Sequence, residues 1–176
     1  MSTWIAFLRG IGGGIRPLPM KELQAAVAKG GLCDVRTYIQ TGNLVFKSAH
    51  RSAAQLGTRI SECVSVELGF TPQVMVLSRK ELERAAARNP FPRAEAHRLH
   101  LFFMQQRPAA PNIDAMNQVK AATEAFVLRD NVYYLHTPQG FGTSKLAQRV
   151  ERLLGVPATA RNWRTVNSVL EIAKGL

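Results

Sequence analysis

Apolar positions along the chain switch between a period of two and a period near 3.6, and the switches mark out the elements. Trp4-Ile5-Ala6-Phe7-Leu8 is an apolar run of strand length that ends at Arg9-Gly10. Met20, Leu23 and Val27 then recur at helical spacing, with Pro19 suited to a first helical turn and Gly30-Gly31 to its end. Asp34 to Lys47 reads as a β-hairpin: Val35, Tyr38 and Ile39 precede Thr41-Gly42, Leu44, Val45 and Phe46 follow it, and Gly42 supplies the positive φ of a tight turn. Ser52 with Gln55 makes a capping box ahead of Leu56, Ile60, Val64 and Leu68, four apart, and Gly69 closes that helix. Gln73 to Leu77 is a strand, and Ser78 with Glu81 opens a third helix that stops before Asn89-Pro90.

The pattern then returns. Leu99-His100-Leu101-Phe102-Phe103 is a strand, Met116 and Val119 mark a short helix, and Ala125 to Arg129 pairs with Val132 to His136 across the turn dipeptide Asp130-Asn131. Leu146, Val150, Leu153 and Leu154 form an amphipathic helix closed by Gly155. Each half therefore runs β-α-β-β-α, the split arrangement of a ferredoxin-like unit. The expected fold is α+β: two ferredoxin-like β-α-β-β-α(-β) halves in one compact protein, residues 1–91 and 92–176, with extra helices after each and a linker over Asn89-Pro90-Phe91-Pro92-Arg93-Ala94. Alternation places Tyr38 or Ile39, Val45, Val132 or Tyr133, and Leu135 in the core. The tail from Ala158 to Val166 has no place in the repeat, and Asn162 caps a last helix carrying Val166, Val169, Leu170 and Ala173.

Composition changes this picture in one respect. At 176 residues, 46% hydrophobic and 20% charged, the chain is globular, but its net charge is +11 and most of the basic residues are arginine, the side chain that best clamps phosphate and carboxylate. Polyanion binding follows from the charge; a scattered, merely solvated basic surface is the competing account, because the cations form no run. No stretch of eighteen apolar residues occurs and Met1-Ser2-Thr3-Trp4-Ile5 does not read as a signal peptide, which points to a cytoplasmic protein without membrane attachment. Cys33 and Cys63 have no CxxC spacing and read as reduced thiols.

Several reactions lack their residues. There is no G-x-S-x-G, no H-E-x-x-H and no Cys/His cluster, so no metal site or resident cofactor is expected. The loop Gly10-Ile11-Gly12-Gly13-Gly14 is not a dinucleotide fingerprint, which needs glycine where Ile15 stands, although glycine-rich backbone can present N–H groups to an anion. Gly140-Phe141-Gly142-Thr143-Ser144-Lys145 lacks the spacing of a phosphate loop, yet glycines, hydroxyls and a lysine before a helix can hold an anion, or Thr143 can simply cap.

Taken together, Phe7-Leu8-Arg9-Gly10-Ile11, Met20 with Leu23, Val35 through Asn43, Asn89-Pro90-Phe91, Gly140 through Leu146 and Thr159 through Val166 resemble the bacterial domain-of-unknown-function 1697 family, in order and over nearly the whole chain. The family usually has asparagine where Gly12 stands. The resemblance implies an α+β protein of two ferredoxin-like halves and supplies no catalytic residues.

Polar residues cluster at element ends: Arg9, Gln40 and Asn43 around the first hairpin, Ser144 and Lys145 before one helix, Arg161, Asn162 and Thr165 before another. These eight are the candidate anion-binding residues, with Arg161 and Lys145 expected to share one bound anion beside Trp163; in the competing account Arg161 only ties down the tail. Three functions stay open. One is a binder of nucleic acid or of a small phosphate-bearing ligand, with Tyr38, Phe46, Tyr133 or Tyr134 as stacking aromatics on an open sheet. Another is an enzyme acting on a phosphate- or carboxylate-bearing substrate between the halves, and the last is an interaction module.

Overall fold

The computed structural model describes residues 1–11 and 17–176. The chain divides into two compact units, residues 1–84 with 167–176, and residues 85–166. Across them the described residues carry two four-stranded antiparallel sheets and six α-helices, an α+β fold of two ferredoxin-like halves with additional helices.

The first unit runs β1 (Ser2–Leu8), α1 (Met20–Lys29), β2 (Cys33–Tyr38), β3 (Asn43–Ser48), α2 (Ala53–Leu68) and β4 (Val74–Ser78), followed by α3 (Arg79–Ala87). Its sheet order is β2-β3-β1-β4, all pairs antiparallel. Alternation along the strands gathers Trp4, Ala6, Leu8, Leu44, Phe46 and Val76 on one face. Onto that face α1 and α2 bring Leu23, Val27, Leu56, Ile60 and Val64, each wholly buried. The expected caps form: Ser52 Oγ accepts from Gln55 N at 3.3 Å, and Ser78 N donates to Glu81 Oε2 at 2.7 Å while Glu81 N donates back to Ser78 Oγ at 3.3 Å.

The first hairpin departs from expectation at its tip. Ile39 is outside the strand, 49% exposed and at φ 47°, a conformation unfavourable to a β-branched residue, so Tyr38, half-buried, is the last strand position. Gly42 stands at φ 73° with its carbonyl accepting from Leu8 N at 2.8 Å; a Cβ there would lie 2.9 Å from Leu8 Cβ. Val45, Val132, Tyr133 and Leu135 are buried as expected.

The second unit holds β5 (Leu99–Phe103), α4 (Ile113–Val119), β6 (Ala125–Arg129), β7 (Val132–His136), a 3-10 turn (Ala147–Arg149) running into α5 (Val150–Leu154), and β8 (Thr159–Asn162), which leads into α6 (Trp163–Lys174). The order β6-β7-β5-β8 repeats the first sheet strand for strand. The tail is therefore not outside the repeat: Thr159–Asn162 pairs with β5 as β4 pairs with β1. One face of this sheet, with Phe102, Tyr133 and Leu135, packs with Met116 of α4, Leu146, Val150 and Leu154. Among the described residues no helix is long and apolar enough to cross a membrane.

Candidate anion-binding site

The stretch expected to be a linker forms a wall of a groove in the second unit. Asn89 Oδ1 accepts from Phe91 N at 2.8 Å, Phe91 O from Ala94 N at 3.1 Å, and Glu95 O from Arg98 N at 2.8 Å, so the chain turns repeatedly before entering β5. Across from it, β7 ends at His136, and the following Thr137, wholly buried, donates both its N–H (2.9 Å) and its hydroxyl (3.3 Å) to the Arg98 carbonyl. The result is a groove of about 580 Å³ lined by Phe91, Arg93, Glu95, Arg98, His136 and three prolines. The Phe91 and His136 rings lie 5.7 Å apart, tilted by 36°.

Its electrostatics follow from which charges are already paired. Glu95 faces His97 at 3.4 Å. Neither the Arg93 nor the Arg98 guanidinium has an ion-pair or hydrogen-bond partner among the described residues, so both can serve a ligand. Gly140, at φ 118°, allows the close approach of Arg98: a Cβ on it would sit 3.1 Å from Arg98 Nη1.

The first unit has a larger groove, about 780 Å³, with His50, Arg59, Glu62 and Cys63 on its lining. Its arginine is engaged, Arg59 Nη1 lying 2.8 Å from His50 Nε2, and burial raises the Cys63 thiol above its usual range, which keeps it protonated and weakly nucleophilic. Among the described residues no group of three or more metal-ligating side chains converges.

The eight residues expected from sequence fall into separate places. Arg9, Gln40 and Asn43 meet at one end of the first sheet. There Arg9 Nη1 donates to Gln73 Oε1 at 3.0 Å, Gln40 is exposed in the turn, and Asn43 is wholly buried, its Nδ2 donating to Tyr38 O (3.0 Å) and Thr41 Oγ1 (2.8 Å) to hold the hairpin closed. Residues 12–16 of the adjoining glycine-rich loop lie outside those described. Ser144 is buried and caps the turn after it by accepting from Ala147 N at 3.0 Å, beside an exposed Lys145. Asn162 accepts from the N–H of buried Thr165 at 2.9 Å, the expected cap of α6.

Arg161 and Lys145 do not surround one anion. In the β5–β8 register Arg161 stands opposite Leu101 and Asn162 opposite His100, so Arg161 points to the face away from Phe102. The Gly140–Lys145 loop is on the other face, where Phe141 stacks on His100 at 3.7 Å and Leu146 enters the core. Arg161 instead donates to its neighbour's carbonyl, Ala160 O, at 2.8 Å. Of the four expected stacking aromatics, Phe46, Tyr133 and Tyr134 are buried at 0–1% exposure and Tyr38 is half-buried at the end of β2.

Sequence reasoning missed Phe91, Arg93, Arg98 and His136 as a group. The available signal was Asn89-Pro90-Phe91, a family phrase read only as a turn.

A solved structure of a conserved bacterial protein from Streptococcus pneumoniae is similar over 99% of each chain, with a TM-score of 0.71 and 20% identity, which establishes a shared fold. No curated protein matches the chain. The family model described as protein of unknown function DUF1697 matches residues 1–134, and the chain belongs to that family.

Proposed function

We propose that the protein binds a small phosphate- or carboxylate-bearing ligand in the groove of its second unit, with Arg93 and Arg98 as the anion clamp. The observation that carries this reading is the pairing pattern: among the described residues, two guanidiniums without ion-pair or hydrogen-bond partners line a concave site in which Glu95 is the one carboxylate. Planar guanidiniums hold two oxygens of one anion at once, which makes arginine a better clamp than lysine. A concave, mostly apolar pocket with a few polar groups is the usual form of a small-ligand site.

Nucleic acid is less well supported than a compact anion. A strand of bases would need a row of exposed rings on an open sheet, and there Phe46, Tyr133 and Tyr134 are buried and Tyr38 is half-buried. The net charge of +11 still gives weak, salt-sensitive attraction to any polyanion.

Calorimetric titration of the full chain with inorganic phosphate and small phosphate monoesters tests the reading. Saturable binding should weaken by about tenfold or more in Arg93→Ala and in Arg98→Ala, as expected for a lost charge-assisted contact. It should also change little between low and moderate salt, unlike polyanion binding. Unchanged affinity in the double variant would exclude the groove.

A further inference from the structure

The anion clamp occupies only part of its groove, and the remainder is apolar and aromatic. Resting on the anion-binding reading above, we infer that the ligand is a nucleoside phosphate, its phosphate held by Arg93 and Arg98 and its base laid against Phe91. An inorganic phosphate would leave most of a 580 Å³ groove empty, whereas Phe91 and the prolines Pro90, Pro92 and Pro138 offer a rigid apolar wall to a flat ring. Phe91 and His136 both line the groove, each half-buried, and are tilted by 36° at 5.7 Å instead of stacked flat on each other. Base–aromatic stacking is tolerant of base identity, because every base has a π-face.

The charge count fits the same class. Two arginines against one glutamate leave the lining at about +1, matched to a single phosphate group carrying roughly −1.5 to −2 at neutral pH. Glu95 repels a second anionic group and accepts hydrogen bonds from ribose hydroxyls or an exocyclic amine, so a nucleoside monophosphate suits the site better than a dicarboxylate or a long polyphosphate. The wall is also pre-organised. Its segment is tied at Asn89, Phe91 and Glu95, and Thr137 anchors Arg98, so binding orders little additional backbone.

The test is calorimetric titration of the full chain, at fixed ionic strength, with inorganic phosphate, ribose 5-phosphate, adenosine and the four ribonucleoside 5′-monophosphates. At least one monophosphate should bind about tenfold or more tighter than ribose 5-phosphate. Phe91→Leu should erase that ratio while leaving ribose 5-phosphate affinity within about twofold, and Arg98→Ala should weaken both ligands. If ribose 5-phosphate and every nucleotide bind equally while Arg98→Ala weakens them all, the anion site stands and the base-binding inference is overturned. If no phosphate binds, or the arginine variants change nothing, the anion-binding reading itself is overturned and the inference with it. The wild-type ratio decides the matter even where Phe91→Leu fails to fold.

Discussion

The Tyr134 hydroxyl donates a 2.7 Å hydrogen bond to the carbonyl of Ala85, inside the second unit. Its neighbour Tyr133, pointing to the other sheet face, buries a hydroxyl that has no partner among the described residues. Burial raises both phenol pKa values, so both are neutral and differ only in hydrogen bonding. Tyr134→Phe should therefore cost about 1–2 kcal/mol, while Tyr133→Phe should be neutral or stabilising by up to about 1 kcal/mol. Denaturant unfolding of the two variants side by side checks this. An equal loss in both would contradict the assignment.

His100 makes stability depend on pH. Its ring lies against Phe141 with Nδ1 buried and without a partner among the described residues, and burial lowers its pKa from 6.5 to about 4. Between those values the unfolded chain takes up a proton that the folded chain does not. Stability from this site is thus complete above pH 6.5, is lost as the pH falls from 6.5 toward 4, and levels off below, a change of about 3 kcal/mol at most. Melting temperatures measured from pH 7.5 to 4.5 should fall less steeply in His100→Asn than in the parent.

At the tip of the first hairpin, two neighbouring turn positions respond in opposite directions. Ile39 is exposed at φ 47°, so Ile39→Asn, a residue that tolerates left-handed backbone, should stabilise by about 1 kcal/mol. Gly42→Ala should destabilise by about 2 kcal/mol or more, because it combines φ 73° with a Cβ 2.9 Å from Leu8 Cβ. Thermal denaturation of both proteins is sufficient; a stable Gly42→Ala protein would mean the hairpin tip shifts easily.

Gly140→Ala links backbone geometry to the groove. The added methyl meets Arg98 Nη1 at 3.1 Å and the residue keeps φ 118°, so the guanidinium has to move. Phosphate-ester affinity should drop about tenfold, with a stability loss of about 1–2 kcal/mol. Calorimetry and melting on one preparation separate the two effects.

Features determined by near neighbours were legible in the sequence. Ser52, Ser78 and Asn162 each cap the helix that follows, because a capping bond spans three residues and needs no tertiary information. β8 was not legible: Thr159-Ala160-Arg161-Asn162 has neither β-branched enrichment nor clear alternation, and it becomes a strand through pairing with β5. The helix expected from Leu146 begins with a 3-10 turn and is α-helical only over Val150–Leu154, a detail that apolar spacing does not resolve. The groove is harder still, since it joins Phe91–Arg98 to His136–Pro138 and Gly140, residues some forty positions apart brought together by the fold. Arg161 and Lys145 shared charge and placement at element ends, but strand register, invisible without the pairing partner, sends Arg161 to the opposite face.

In both sheets the last strand pairs with the first, and this has a consequence for synthesis on the ribosome. All strands of the first sheet have been made once Ser78 emerges. The second must wait from Phe103 until β8 begins at Thr159, a delay of roughly 3–11 s at translation speeds of about 5–20 residues per second. Throughout that interval β5 presents an unpaired backbone edge beside Leu101 and Phe103, the kind of edge onto which another nascent chain can add a strand. The first sheet passes through the same exposure earlier, β1 waiting from Leu8 until β4 begins at Val74, so the aggregation hazard of this protein falls in two successive intervals, and slow decoding between α5 and β8 would prolong the second.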